Sequence, residues 1–258
     1  MRLLRTTLAA FVFSITSNLA LALPDELYVQ MDETTKPGQF SIDVLSSYVL
    51  AGAAKPSSEA LQPAFHLLQV SPDISYGIKE NTQIDLQLFS SMGLNGESRV
   101  DGARMELLDI PVHPETEGDE GLFLGELLEV GHLPPTYSNN NLDAEIKAVL
   151  GYRSGRLTFA TNPEIGFKIS GSGSSQPDIS IKLKVAYQID EKISCGMEHY
   201  GDLGQVNYPS PNRQLQQTFA VVDVKNDELS FNAGVGRGWN DYSNQWTIKA
   251  NFSFPFWK

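Results

Sequence analysis

Ten residues in the second half of the chain have types and spacing that could act together: Glu145, Lys147, Arg156, Glu164, Lys168, Lys182, Lys184, Glu198, Lys249 and Asn251. They fall on the polar side of segments in which apolar and polar residues alternate, with carboxylates and cationic groups intermixed. Gathered around one lumen, they could line an aqueous path whose mixed charge sets selectivity. The opposite use of the same residues is to pair across neighbouring strands and plug a narrow interior, because a charge left unpaired away from water is costly.

Other chemistries have less to work with. His199 shares its face with Ile193, Cys195 and Met197, an apolar side, and a general base there would need an adjacent serine and an orienting partner. Ser90 and Ser91 lie on a remote segment with no flanking signature. The histidines His66, His113, His132 and His199 are scattered, and the single Cys195 excludes an intramolecular disulfide and a cysteine-based metal cluster. No metal and no cofactor is expected. Gly234–Gly238 is glycine-rich but lacks the lysine of a phosphate-binding loop and lies inside a strand, where small residues ease packing. A formal charge of −12 gives no footprint for nucleic acid, which selects basic patches.

The elements that must position these residues are strands. Gln245–Trp257 is the clearest: Trp246, Ile248, Ala250, Phe252, Phe254 and Phe256 share one face, and Thr247, Lys249, Asn251 and Ser253 the other. The period is two, sustained for longer than a soluble strand needs and long enough for a tilted strand to cross a bilayer. Twelve such segments recur, near 40–51, 64–78, 82–93, 99–111, 121–132, 142–152, 156–170, 178–189, 193–203, 214–224, 228–238 and 245–256. In 178–189, Ile179, Ile181, Leu183, Val185, Tyr187 and Ile189 oppose Asp178, Ser180, Lys182, Lys184 and Gln188. No segment carries an apolar 3.6-residue period of helical length.

An even count with alternating tight and long connectors predicts an all-β fold: a single antiparallel transmembrane β-barrel of about 12 strands. Lys79–Asn81, Arg153–Gly155 and Lys225–Asp227 are tight, whereas Leu133–Asn141, Gly171–Pro177, Gly204–Arg213 and Trp239–Asn244 are longer. Two connectors break the alternation, Asn95–Ser98 by being short and Val112–Glu120 by being long. Pro72 and Pro163 sit inside predicted strands, where a missing N–H belongs at a bulge or strand end. Leu122–Leu133 is apolar on both faces around Glu126 and Glu129, so its register stays open. Trp239, Trp246 and Trp257 with Tyr48, Tyr76, Tyr152, Tyr187 and Tyr242 fall near strand ends, as interfacial girdles do.

The first 22 residues read as a secretory signal peptide: Arg2 and Arg5, an apolar run, then Ala20-Leu21-Ala22 before the cut. Removing both arginines takes the formal charge from −12 to −14. Residues 23–38, acidic and turn-rich, read as a periplasmic lead-in outside the fold, with the barrel spanning 39–258. The expected location is the bacterial outer membrane.

The ending, Lys249-Ala250-Asn251-Phe252-Ser253-Phe254-Pro255-Phe256, resembles the C-terminal signal read by the outer-membrane assembly machinery, with Lys249, Phe254 and Phe256 matching it. Asn251 stands where that motif commonly has glycine, and Trp257 and Lys258 follow the expected terminal aromatic. The second half, through Gly151-Tyr152, Asn162-Pro163 and Gly234-Val235-Gly236-Arg237-Gly238, resembles proteobacterial outer-membrane barrels grouped with transporters of aromatic-degradation pathways. That resemblance implies location and architecture, with outer-membrane lipid, the barrel assembly machinery and a small solute as partners. The expected role is a passive channel or small-solute transport or binding. Three alternatives stay open: a structural or adhesin-like barrel with a plugged lumen, an outer-membrane lipid-active enzyme, and a soluble periplasmic β-barrel binding module.

Overall fold

Alternation of apolar and polar residues becomes strand wherever it is sustained. The computed structural model describes residues 27–54, 65–93, 96, 98–115, 119–132, 140–171, 176–226 and 228–256. The strands are β1 (Phe40–Ala51), β2 (Leu68–Lys79), β3 (Thr82–Met92), β4 (Ser98–Val112), β5 (Gly121–His132), β6 (Asn140–Ser154), β7 (Leu157–Gly171), β8 (Asp178–Gln188) and β9 (Ile193–Gln205). They continue with the two-residue β10 (Tyr208–Pro209), then β11 (Gln216–Val224), β12 (Ser230–Gly238) and β13 (Trp246–Phe256). Each long strand pairs antiparallel with its sequence neighbour, β9 with β11, and β10 folds back onto β9. The circle shuts where β13 meets β1, from Phe40 opposite Phe256 to Ala51 opposite Trp246. Closure leaves the 12-strand wall without an edge, the condition for strands to sit in hydrocarbon.

The connectors alternate as the spacing predicts. Glu80–Asn81, Gly155–Arg156 and the turns before β9 and β12 lie at one end, the turn end, which also holds the start of β1. Asn81 takes a left-handed φ of 61°, a conformation asparagine tolerates. Asp190 ties its own turn by accepting the N–H groups of Lys192 and Ile193, both at 2.8 Å. The longer connections lie at the opposite, loop end. The two irregular connectors keep their predicted ends, so the strand count does not slip there.

Both prolines fall at gaps in a ladder. The β2–β3 pairing skips Ser71 and Pro72, passing from Val70↔Ser90 to Asp73↔Gln87. The β6–β7 pairing skips Asn162 and Pro163, passing from Lys147↔Glu164 to Leu150↔Thr161. The register is unchanged across each gap, so the gap marks the ladder bonds that the missing N–H forgoes, while the ladder on the proline's other side runs on through Val44↔Pro72 and Pro163↔Ile181.

The outside of the wall is apolar. Leu128, Ile146, Phe159, Val185, Met197, Val222 and Val235 are exposed on successive strands of the wall, the reverse of a soluble barrel, whose apolar face would be covered. Tyr76, Tyr152 and Tyr187 are exposed near the turn end, and Trp239 and Trp246 near the loop end. Inside, β12 passes close to β11: a Cβ at Gly236 would lie 2.5 Å from the Phe219 ring, which agrees with the packing role read for this glycine-rich stretch.

One expectation is corrected. The described part of the 23–38 lead-in, from Leu27 onward, is not outside the fold but inside the barrel, with Leu27, Val29, Met31 and Asp32 all buried. The physical reason is a set of nonlocal bonds described below. The signal peptide lies outside the described residues, as do Trp257 and Lys258.

Candidate functional site

Period two sends every second side chain into the lumen, and register across strands decides which of them meet. Glu198 of β9 sits at the centre of one group. It accepts from Tyr200 Oη at 2.5 Å, Asn232 Nδ2 at 3.1 Å, Lys184 Nζ at 3.0 Å and the Lys249 ammonium. Lys184 also reaches Asp223 at 2.7 Å, and Asn232 donates to the same carboxylate at 2.8 Å. The Lys249 ammonium, entirely buried, lies 5.3 Å from the Tyr200 ring centre and 5.6 Å from that of Phe219. Ions this far from water are tolerable because each has several charged or hydrogen-bonding partners.

A second group crosses β4 to β8. Lys147 meets Glu129 at 2.6 Å and Glu164 at 3.4 Å, while Arg104 lies 3.1 Å from Glu129 and 3.7 Å from Glu145. Lys182 stands 3.7 Å from Glu164 and Lys168 4.0 Å from Asp178. Thus Glu145, Lys147, Glu164, Lys168, Lys182, Lys184, Glu198, Lys249 and Asn251 all come together on the interior. Arg156 does not: it is exposed in the turn that Gly155 makes, where strand alternation stops. The lumen arginine of this hairpin is Arg153.

The third component is the N-terminal segment, which enters at the turn end and rises to mid-height. Its foot is held where Gly38 N–H donates to the Gly77 carbonyl at 2.8 Å. A Cβ on Gly77 would fall 2.2 Å from the Lys36 carbonyl oxygen, so only glycine admits this approach. Arg153 grips Asp32 with both arms of its guanidinium, at 2.7 Å for Nη1, while stacking 4.9 Å above the Phe123 ring. Lys225 bonds Glu33 at the mouth. Burial alone would raise the Glu33 carboxyl, but Lys225, with Arg153 beside it, outweighs that and holds the group at about 2. Higher up, Asn162 bonds the Gln30 main chain, and Lys249 and Asn251 bond the Leu27 carbonyl. The side chains of Leu27, Val29 and Met31 complete an apolar cluster with Leu108, Ile110, Phe123, Leu127, Val149 and Phe219.

This explains the two-faced segment in β5. Phe123 and Leu127 face the lumen because the entering segment brings apolar side chains to meet them, while Leu122, Leu128 and Val130 face outward. The alternation Leu27, Val29, Met31 within an acidic stretch was the available signal for the occupant. Arg104, Glu129, Arg153 and Asn162 carry the same period-two signal as the residues singled out from sequence.

On the wall from β1 to β4 the lining is mostly acidic, Arg104 of β4 being turned to the second group. Asp43 stands opposite Asp73 and Asp85 opposite Glu106 in the ladders. Among the described residues, Asp73, Asp85 and Glu106 bring carboxylate oxygens within 4.8 Å of one another, a spacing that could admit a cation. Gln83 donates to Asp85 at 2.9 and 3.0 Å. His199 faces outward, with Thr218 Oγ1 at 2.9 Å and Gln216 Oε1 at 3.2 Å as its ring partners. Ser90, on β3, bonds the Val70 carbonyl.

No protein-family model matches the sequence, and no curated protein matches it. Among solved structures the barrel is similar to an outer-membrane channel from Pseudomonas putida F1, with a TM-score of 0.58 and 10% identity over 90% of this chain and 100% of that one. It is also similar to the KdgM porin in complex with disordered oligogalacturonate, with a TM-score of 0.55 and 9% identity over 84% of this chain and 99% of that one. The NanC porin gives a TM-score of 0.55 and 12% identity over 84% of this chain and 100% of the porin. At these identities the likeness establishes the fold, that of bacterial outer-membrane barrels.

Proposed function

We propose that this protein is a channel of the bacterial outer membrane that passes or binds a small solute through its lumen. The observation that carries the reading is a closed wall, apolar outside, whose interior carries charged and amide side chains above, below and around one apolar cluster. Barrels of the same fold include porins and a channel, one of them seen with an oligogalacturonate. The resemblance to aromatic-pathway transporters makes small aromatic solutes the first to assay. On this reading β13 also carries the insertion signal, with Lys249, Phe254 and Phe256 read by the assembly machinery.

Planar-bilayer recording tests the reading. The parent protein should pass little current, because residues 27–38 occupy the lumen. Arg153→Ala, which frees Asp32, should pass more. Silence from both proteins, each shown to be folded by heat-modifiable gel migration, would remove the channel reading. It would favour the second one, a structural barrel with a plugged lumen, which the buried N-terminal segment supports. The reading takes the protein not to be an enzyme, and lipase activity that disappears in His199→Ala would reverse that.

A further inference from the structure

The lumen holds an extended backbone through groups that read main chain. Asn162 Oδ1 accepts the Gln30 N–H at 2.7 Å and its Nδ2 donates to the Gln30 carbonyl at 3.0 Å. That two-way exchange is what a neighbouring strand offers. The Leu27 carbonyl accepts from Lys249 Nζ and Asn251 Nδ2, both at 2.9 Å. The Thr35 N–H donates to Gln83 Oε1 at 2.6 Å. None of these bonds uses the side chain at 27, 30 or 35.

Specificity comes from the side chains between them. Leu27, Val29 and Met31, two apart as on one face of an extended chain, are buried in the apolar lumen cluster. Around the Leu27 carbonyl the ammonium groups of Lys184 and Lys249 are balanced by the carboxylates of Glu198 and Asp223. The seat therefore offers donors without net positive charge, which suits a neutral carbonyl better than a carboxylate. Main-chain bonds with pockets for alternate side chains are the physics by which proteins capture extended peptides.

We propose that the lumen is a receptor for an extended, apolar peptide backbone. Residues 27–35 are its resident occupant, and short apolar peptides or peptide-like amides are the solutes that compete for the same seats. The claim of passage rests on the channel reading; the claim of binding does not.

The test uses the full chain carrying Val29→Asp, which places a charge in the apolar cluster and loosens the occupant. Gln30→Pro, which removes the resident N–H, serves in its place should that variant not accumulate. The probe is a peptide with the sequence of residues 27–31, capped at both ends, titrated calorimetrically into detergent-solubilised protein and added to planar bilayers. One-to-one binding and block of current are expected. N-methylation of the peptide's glutamine nitrogen, or Asn162→Ala in the protein, should weaken binding by about tenfold or more. Absence of binding, equal binding of the N-methylated peptide, or tighter binding of the same peptide with a free C-terminal carboxylate would each overturn the proposal. Current without block in the loosened variant also counts against it and leaves the channel reading standing. Binding in a protein that never conducts supports the receptor and removes the channel.

Discussion

Opposite walls of this lumen carry charge in two ways. From β5 through β9 and on to β13, cations and carboxylates interleave, so that Glu129, Glu164 and Glu198 each sit against a lysine at 3.4 Å or less. From β1 to β4, carboxylates face carboxylates in the ladder, with glutamines such as Gln83 set among them. The difference follows the occupant. Lys249, Asn251 and Asn162 grip the entering backbone with side chains from the interleaved wall, whereas among the described residues the acidic side contributes one side chain, Gln83 at Thr35, and the Gly77 carbonyl at the foot. A wall whose charges are balanced locally can present donors to a neutral backbone. A row of like charges cannot do so without opposing itself.

The largest break in this contrast is expected at Lys249. Lys249→Ala leaves Glu198 and Asp223 sharing Lys184 as their cation and the Leu27 carbonyl bonded by Asn251 alone, and should cost about 3 kcal/mol of barrel stability. The midpoint of heat-induced gel migration reads this. Adding Glu198→Gln should recover part of the loss, and full loss in the double variant would show that the pairing is not the cause. Next comes Asn162→Ala, which removes both bonds to Gln30, roughly 1–3 kcal/mol of grip on the occupant. Conductance should rise while the unfolding midpoint moves little; an unchanged current would mean that Asn162 does not hold the gate.

The acidic wall should respond with the opposite sign. Asp85→Asn relieves repulsion from Glu106 directly across the ladder and should stabilise the barrel by up to about 1 kcal/mol. Destabilisation would show instead that the row is held by a cation or a shared proton. The smallest effect is at the mouth, where the Lys225 ammonium is largely exposed and its pair with Glu33 is worth at most about 1 kcal/mol. Because the Glu33 carboxyl is depressed from 4.5 to about 2, the clasp is fully present above 4.5 and is lost as pH falls through about 2. Conductance attributable to its release should therefore begin only in acid. In Lys225→Ala the onset should move to higher pH; an identical profile would sink the assignment.

Much of the wall was readable because alternation is local. The segment Asp178–Gln188 sorts its faces from its own residues, and so does β13. Arg156 was misplaced for a local reason too, since a left-handed glycine beside it ends the alternation that would have aimed it inward. Residues 27–38 were misplaced for a different one. Their acidity resembles a solvated leader, but Asp32 and Glu33 are neutralised by Arg153 and Lys225, residues 121 and 192 positions away. Nothing within the segment reveals those partners, although Leu27, Val29 and Met31 already carried the period of a half-buried chain.

What the sequence determined by itself was therefore the set of strands, the face of most of them, and the alternation of most of the tight and long connections. Each depends on residues two apart or on a single turn. Only the tertiary structure decided that the circle closes, which carboxylate meets which cation, and that the lumen is occupied. Those depend on register between strands distant in the chain, as when Lys249 meets the carbonyl of Leu27, 222 residues earlier. A contact of that span is set by how the whole wall closes, because no local pattern can specify which distant strand a side chain will face.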